Sequence, residues 1–575
     1  MIRYETKRSL EQIFYHMAKH PFLSVTGMCF LLFFFGFCET TGFTTFSYVY
    51  AGAVMSVLFV LLIMIGRIGD TAGVRITIII ALSVLTAGGL FLMRSFNNSP
   101  AMMLLTSMTL LAAMCALMQA TGTLSDRSFI MLMIAGGVML RLTYDLYTGY
   151  LERQYDVGSF NWTYGHANYI EFWLKNGLSK LPDEKEILTW QYYHPPLHHW
   201  LMALLLKLLT SCGMEYNKAC EALQILPMLY SSLTMVVSYR IFRWVRLRGL
   251  PLVIAMTIVC FHPAFIHMGG SFNNDMLCSF LMMLSIMFAL RWYSDPTLKR
   301  IIPIALCVGL GMMTKLSGWM VAPAIAIMFL YVFVKNIRSW TRYIGQYAVF
   351  GVICAPLGLW WQIRNLIAFD MPLNYVPYGN TQFDMYCGDM SASERLFDFG
   401  NGQLSFVYVA YTDQGFDAPF CDYNPTVGLF KTAIFSEGKN GITDIHFPQI
   451  AVTGPILFWI GVVLGLLCFI SFIAVMIRKD PGLDGLSKAF FSVLALTLLV
   501  SYYIFCFQFP FTCTMNIRYC IPLIPLFAMG LGLLLRHFGG KSAFERTLRY
   551  SVYALTAAFA LMSCLLFAQL SLTTA

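Results

Sequence analysis

The sequence predicts an all-α polytopic membrane protein, a bundle of transmembrane helices, and three observations indicate this. Of the 575 residues, 58% are hydrophobic and only 12% are charged, whereas soluble domains carry roughly 25% charged residues. The mean hydropathy is +0.67. The apolar residues also form long runs, and about 20 such residues are enough for a helix to cross the hydrocarbon core of a bilayer.

These runs divide the chain into about fifteen predicted spans. The 301–313 segment is short. The predicted spans are 22–43, 46–65, 76–93, 101–121, 128–148, 223–243, 251–268, 276–293, 301–313, 317–334, 344–363, 453–477, 487–508, 519–536 and 548–571.

Lysine and arginine concentrate in alternate short connections, such as 240–248 and 335–342. Because such residues mark cytoplasmic loops, we expect a cytoplasmic N-terminus and an outer C-terminus. The loops 149–222 and 365–452 then lie on the extracytoplasmic face. The net charge of +9 is explained by the inner loops and the anionic lipid they face, so we expect membrane lipid but no nucleic acid as a partner.

The first four spans differ from the rest of the chain. Their loops are short, and Glu39 is their one intramembrane acid or base. We therefore predict that residues 1–127 form an N-terminal accessory bundle of four transmembrane helices and that the chemistry lies within 128–571.

A polar stretch at 153–200, rich in histidine and aromatic residues, interrupts the apolar pattern. Charge within hydrocarbon is costly, so such a stretch is solvated at a membrane face or lines a cavity, and we interpret it as an active-site loop. Asp156 follows the fifth span closely. It could act as a general base toward a hydroxyl at the membrane surface, or it could be a turn aspartate.

Two short helices are expected in the same loop. His166 to Lys175 is amphipathic and stops at Asn176-Gly177, as an interfacial helix would. His166 and Glu171 on it are candidate site residues, with a solvated face as the alternative. The segment 197–210 is too short for a span and favours an interfacial or re-entrant helix.

Tyr193 and His194 precede that second helix in YHPPLHHW, where the prolines hold the chain extended. Both are candidate substrate-binding residues. Three histidines within six residues could bind a divalent metal, yet no strong metal pattern is present, so the metal is left open.

Further along the chain, four residues are placed at the outer face. Asp275 lies in an outward turn (FNNDML), and Lys315 in MMTKLSGW could extend to the headgroups or bind a phosphate. Arg364 and Arg518 stand at the outer ends of apolar segments, where a guanidinium could hold a lipid phosphate. Arg518 is the preferred candidate of the basic residues.

The cysteines mostly lie inside predicted helices, where they behave as small apolar residues. Cys387 and Cys421 both lie in the second outer loop. They could pair in an oxidising compartment or stay as thiols, and the sequence does not decide between these states.

Taken together, Asp156, the amphipathic helix, the YHPPLHHW element and the basic inner loop after the next span resemble the GT-C membrane glycosyltransferases. The similarity is to the protein O-mannosyltransferase group, including the lipid A aminoarabinose transferase, and covers about residues 128–571, mostly as topology. That range would be the catalytic domain. Relatives commonly carry an Asp-Glu pair in the first outer loop, but here Val157 follows Asp156.

The resemblance implies a transferase that moves a hexosyl or pentosyl group from a polyprenyl-phosphate donor to an acceptor protein, glycan or glycolipid. We expect inversion at the sugar, with Asp156 as base and Arg518, together with Lys315 or Arg364, holding the leaving phosphate. The loop 365–452 would act as a lid that helps to choose the acceptor. We expect a cell-envelope enzyme in a bacterial plasma membrane, although an endoplasmic reticulum location is also open.

The competing class is a secondary transporter or flippase for a lipid-linked or small polar substrate. Transporters place charged residues near the bilayer midplane and show related halves. Here the ionisable residues gather at one face, which favours the transferase. The sugar, the acceptor and the oligomeric state are not determined by the sequence.

Overall fold

The computed structural model describes residues 99–572 apart from 121, 123, 152–155, 212, 380, 382–384, 401–421, 436–449 and 539–541. The described chain is helical, and the α-helices are numbered here in chain order. They are α1 Pro100–Ala120, α2 Asp126–Tyr147, α3 His166–Asn176, α4 Glu184–Ile187, α5 Leu197–Ser211, α6 Tyr216–Ala222, α7 Ile225–Trp244, α8 Gly249–Phe261, α9 Pro263–Gly269, α10 Asp275–Ser294, α11 Leu298–Thr314, α12 Ala322–Lys335, α13 Trp340–Phe369, α14 Ala392–Phe397, α15 Pro425–Phe435, α16 Thr453–Ile477, α17 Gly485–Gln508, α18 Leu523–His537 and α19 Ala543–Leu570.

Within this part of the chain, nine helical stretches are long and apolar enough to cross a membrane. The α8–α9 pair passes the same test as a unit and is bent by 41°, because His262 caps a new helix that begins with Pro263. The nine stretches are Pro100–Ala120, Asp126–Tyr147, Tyr216–Trp244, Asp275–Ser294, Leu316–Lys335, Ile337–Phe369, Thr453–Ile477, Gly485–Gln508 and Ala543–Leu570.

Of the predicted spans from 101–121 onward, all but two coincide with one of these stretches or with the bent pair. The predicted spans 301–313 and 519–536 correspond to α11 and α18, which have 17 and 15 residues and are shorter than the nine stretches. The predicted spans 22–43, 46–65 and 76–93 lie outside the described residues. Helix α1 packs against α2 and α19, and the division into an accessory bundle and a larger domain stays a prediction.

Both short helices predicted in the first outer loop are confirmed. Helix α3 ends at Gly177, whose φ of 75° is one that glycine adopts readily. Helix α5 starts directly after Pro195-Pro196 and has 15 residues, too few for a span. The solvated-face alternative for α3 is wrong, since His166 and Glu171 are each only 2% exposed.

The first outer loop is fixed on the bundle by hydrogen bonds from buried rings. His198 Nε2 lies 2.9 Å from the carbonyl oxygen of Phe272, just before α10. Trp361 of α13 donates from Nε1 to the carbonyl oxygen of Tyr193 at 3.0 Å. These contacts hold the YHPP segment against α10 and α13.

The second outer loop differs in extent from the prediction. Helix α13 continues to Phe369, so Arg364 lies in the last turns of a helix and the loop begins at Asp370. Helix α15 follows inside the loop, and a buried ion pair of 2.7 Å joins its Lys431 to Asp422. Cys421 lies outside the described residues, so both alternatives, a disulfide with Cys387 and two free thiols, stay open.

Candidate active site

A cavity of about 1090 Å³ opens where the first outer loop meets α10, the α11–α12 connection and the α17–α18 connection. Its polar end contains the acidic and basic candidates Asp156, Asp275, Lys315 and Arg518. Its other wall is apolar. That wall includes Trp319, Met320, Pro323, Val493, Leu496, Val500 and Ile504.

A tight loop positions Asp156. The residue has a left-handed backbone (φ 64°), an uncommon conformation for a residue with a side chain. Its carbonyl oxygen accepts a hydrogen bond of 2.9 Å from the His166 amide, and the Val157 carbonyl accepts one of 2.8 Å from Ala167. The start of α3 thus holds the aspartate in place.

Four charged side chains form an ionic cluster at the polar end of the cavity, namely Asp156, Asp275, Lys315 and Arg518. Arg518 Nη2 donates to Asp156 Oδ2 at 2.9 Å, and Lys315 Nζ donates to Asp275 Oδ1 at 2.6 Å. Arg518 Nε lies 4.0 Å from Asp275 Oδ2, so the two pairs adjoin. Two cations and two anions balance each other here.

Local chain breaks present these side chains to the cavity. Asp275 is the first residue of α10, a position where a carboxylate is stabilised by the helix dipole. Lys315 is extended between α11 and a 3-10 turn at Leu316–Val321. Arg518 sits in another 3-10 turn, Ile517–Tyr519, whose preceding Asn516 accepts from the Arg518 amide.

Tyr519 completes the cluster. Lys315 Nζ lies 4.8 Å and Arg518 Cζ 5.0 Å from the centre of its ring, and Arg518 Nη2 also donates to its hydroxyl at 3.0 Å. An aromatic face attracts cations at such distances. The ring therefore helps to hold both cations next to each other.

Tyr193, His194 and His166 line the same cavity. Burial, with the Asp156 charge adding to it, raises the pKa of the Tyr193 phenol, so that group stays protonated. Burial, reinforced by Lys315, holds the pKa of His194 well below its ordinary value. Burial, with His194 adding to it, does the same to the pKa of His166. Both imidazoles are neutral at pH 7.

Two of the predicted candidates contact other groups and do not line the cavity. Arg364 donates to the Pro182 carbonyl and to Asn365 Oδ1, the latter at 2.8 Å, which ties α13 to the first outer loop. Glu171 accepts from the Asn161 amide at 2.7 Å and pairs with Lys175 at 2.8 Å. Neither residue lines the cavity. Their substrate-binding roles stay predictions.

No three His, Cys, Asp or Glu side chains converge as metal ligands in the part of the chain that the structure describes. His166 Nδ1 instead lies 2.8 Å from His199 Nε2, and His198 bonds a backbone carbonyl. Three ring nitrogens of these histidines thus have partners within the protein, whereas Nδ1 of His198 and Nδ1 of His199 have none among the described residues.

Sequence reasoning missed Trp190 and Tyr519 as site residues. Trp190 donates from Nε1 to Asp156 Oδ1 at 3.3 Å, although 34 residues separate the two in the chain. The aromatic run that ends the first outer loop was the available signal for Trp190. Tyr519 adjoins Arg518, and its role becomes visible only once Lys315 is placed beside it.

One family model matches the chain. Residues 193–361 match the family described as dolichyl-phosphate-mannose-protein mannosyltransferase. This range contains Tyr193, His194, Asp275 and Lys315 of the cavity. The comparison with curated proteins returned no significant match.

Three solved structures, of two proteins, align with the chain. ArnT from Cupriavidus metallidurans in the apo state shares 15% identity, with 79% of this chain and 77% of that chain covered and a TM-score of 0.44. The same protein bound to undecaprenyl phosphate shares 14%, with 78% and 77% covered and a TM-score of 0.43. The Archaeoglobus fulgidus oligosaccharyltransferase in complex with Zn and sulfate shares 14%, with 74% and 53% covered and a TM-score of 0.41.

The family match falls on the segment that supplies Asp275 and Lys315, and it was obtained independently of the geometry. It supports a membrane glycosyltransferase of the GT-C type. Over residues 193–361 it thus confirms the resemblance of this chain to the protein O-mannosyltransferase group.

Proposed function

We propose that this protein transfers a sugar from a polyprenyl-phosphate donor to an acceptor hydroxyl at the extracytoplasmic face of its membrane, with inversion at the anomeric carbon. The observation that carries the proposal is the ionic cluster, in which Asp156 and Arg518, 362 residues apart, meet at 2.9 Å in a cavity with an apolar wall. The description of the matched family names a dolichyl-phosphate-linked sugar. Like the proposed donor, that molecule joins a sugar to a lipid through an anionic phosphate.

The cations of the cluster suit a leaving phosphate. The donor is a phosphodiester with one negative charge, and departure as polyprenyl phosphate adds a second charge. Arg518 and Lys315 are held by their carboxylate partners and by Tyr519 before substrate arrives, so they need little reorganisation. Fixed positive charge aimed at the place where negative charge develops lowers the barrier.

Asp156 is assigned as the general base. Its Oδ2 accepts from Arg518 at 2.9 Å, whereas among the described residues Oδ1 has only the longer 3.3 Å contact with Trp190. Oδ1 is therefore the oxygen that can exchange its partner for an acceptor hydroxyl. The hydroxyl oxygen forms a bond to the anomeric carbon, the carbon–phosphate oxygen bond breaks, and the proton moves to Asp156.

The remaining parts of the cavity fit the other components of this reaction. The donor's lipid chain would lie along the apolar wall of α17, where Leu496 and Ile504 are 61% and 58% exposed. The acceptor would approach from the outer loops, of which Asn374 and Tyr375 line the cavity. The loop 365–452 would contribute to acceptor choice.

Asp156→Asn tests the proposal. Purified protein in lipid nanodiscs would be given a polyprenyl-phosphate sugar carrying a radiolabel, together with a mixture of membrane acceptors. The wild type should transfer the label, and Asp156→Asn should reduce the rate at least a hundredfold, the usual contribution of a general base. Product analysis should show the opposite anomeric configuration.

Asp183→Asn is the matched control, because Asp183 is exposed in the same outer loop and caps α4, a position that asparagine also fills well. It should keep wild-type activity. A parallel liposome uptake assay addresses the transporter class. Movement of the lipid-linked substrate without any bond breaking, in a manner insensitive to Asp156, would overturn the proposal.

A further inference from the structure

Two glutamines in the cavity are not used by the mechanism above. Gln191 and Gln362 both line the cavity, and their residues are 2% and 7% exposed. The Oε1 atom of each is buried and accepts no hydrogen bond from the described residues. Buried amide oxygens normally accept a hydrogen bond. These two oxygens are therefore available to a hydrogen-bond donor on the substrate.

Gln191 is also conformationally unusual. Its φ is 81°, a left-handed value that costs energy for a residue with a side chain. Its backbone is over-determined by neighbours, since its carbonyl accepts from the His194 amide and the preceding Trp190 bonds Asp156. The strained turn therefore follows directly on the residue that contacts the assigned base, and both Gln191 and Asp156 line the cavity.

Gln362 reaches the same cavity from α13. It follows Trp361, whose indole bonds the Tyr193 carbonyl at 3.0 Å. The two glutamines therefore flank the segment that carries Tyr193 and His194. Neither amide is charged, and the charged positions nearby are already assigned to phosphate and proton transfer.

We infer that Gln191 and Gln362 bind hydroxyl groups of the transferred sugar and so determine which sugar is accepted. The inference rests on the proposed function. The anomeric carbon must lie between the leaving phosphate and Asp156, so the sugar ring must occupy the part of the cavity around Tyr193. An amide offers both a donor and an acceptor to a hydroxyl, and rotation of its terminal group exchanges the two.

The test compares intact and deoxy sugars on polyprenyl-phosphate donors. A series of donors, each lacking one ring hydroxyl, would be assayed with the wild type, Gln191→Leu and Gln362→Leu. Each variant should lose about tenfold or more in kcat/KM on the intact sugar, since a hydroxyl in the site loses its partner. On the deoxy donor that lacks the hydroxyl bound by a given glutamine, the wild type and the variant of that glutamine should be equally active.

Gln508→Leu is the control substitution, because Gln508 also lines the cavity but is exposed at the end of α17. It should leave the discrimination between intact and deoxy sugars unchanged. A purely structural role of Gln191 would lower the activity on every donor by the same factor. If Gln191→Leu does not fold, Gln362→Leu carries the same comparison.

The outcomes separate the inference from the function on which it rests. Equal losses on intact and deoxy donors, while the wild type transfers sugar, would overturn the role of the glutamines alone. Absence of transfer by the wild type from every donor, with lipid-linked substrate moved intact, would overturn both. A loss confined to sugars that carry one particular hydroxyl would support the inference and identify that hydroxyl.

Discussion

Arg518 has the most partners within the ionic cluster. Its guanidinium bonds Asp156, approaches Asp275 and lies over Tyr519, three contacts that depend on a planar fork. Lysine keeps the charge but offers a point donor on a flexible stem. Arg518→Lys should therefore lower kcat by about tenfold to a hundredfold, while Arg518→Gln should lower it further.

Steady-state kinetics with a fixed acceptor would measure these values. Lys218→Gln is a suitable control, since the side chain of that lysine is 44% exposed and pairs with Glu215 at 3.6 Å, and ion pairs at the surface contribute little. Full activity in Arg518→Lys would show that charge alone is needed and that the fork geometry is not.

The buried histidines predict how stability changes with pH. Burial keeps the pKa of His199 well below 6.5, as it does for His166, which lies 2.8 Å away. Below pH 6.5 the unfolded chain binds protons at these imidazoles, whereas the folded protein does not. The contribution of the two histidines to the free energy of unfolding is therefore present above pH 6.5 and is lost as the pH falls. Each such imidazole destabilises the fold by about 1.4 kcal/mol per pH unit.

Melting temperatures in detergent at pH 8, 6.5 and 5 would check this expectation. The wild type should melt at a similar temperature at the two higher values and at a clearly lower one at pH 5. His199→Gln, which keeps a polar group of similar reach, should flatten the decline. Parallel curves for the two proteins would assign the acid sensitivity to other groups.

At the scale of elements, the helices could be predicted because lipid leaves the backbone few alternatives, so apolar length alone indicates a span. Helix α5 could be placed for the same reason, from its length and from the prolines before it. The pairing of Asp156 with Arg518 could not be predicted, because it depends on how α10, α11 and the α17–α18 connection pack. Trp190 and Gln191 were not predicted as site residues. The turn that positions them has a φ of 81° at Gln191, and a glutamine in the sequence does not indicate such a turn.

The interlocked turn before α3 supports a prediction at this scale. A Cβ at Gly158 (φ 62°) would lie 2.2 Å from the Tyr164 carbonyl oxygen, and one at Gly165 (φ 97°) would lie 2.5 Å from that of Val157. Alanine at either position must open the turn that carries Asp156. We expect Gly158→Ala and Gly165→Ala to reduce transfer at least tenfold and to lower the melting temperature.

Gly177→Ala provides the comparison for these two variants. Gly177 also has a positive φ of 75°, but a Cβ there would meet nothing within 4 Å. This variant bears only the conformational cost of a φ of 75° with a ψ of 168°, about 1–3 kcal/mol, at the opposite end of α3 from the turn. Equal losses of transfer in all three variants would mean that α3 as a whole, rather than the turn, controls the site.

For the whole molecule, the placement of the cavity at one end of the bundle links function to orientation. Both outer loops contribute to the cavity, the first through Asp156 and the second through Asn374. The basic residues of the α12–α13 connection, including Lys335 and Arg338, lie on exposed positions elsewhere. The positive-inside rule predicts that this connection is cytoplasmic, and alternation along the spans then predicts that the cavity lies on the extracytoplasmic side.

Single-cysteine labelling tests this orientation. Lys180→Cys introduces a thiol at an exposed position of the first outer loop, and Arg338→Cys introduces one at an exposed position of the α12–α13 connection. A membrane-impermeant maleimide added to intact cells should label Lys180→Cys above the wild-type background of native cysteines. Arg338→Cys should react only after the membrane is permeabilised. The reverse pattern would place the ionic cluster on the cytoplasmic side. The sugar donor would then have to be one that is available in the cytoplasm.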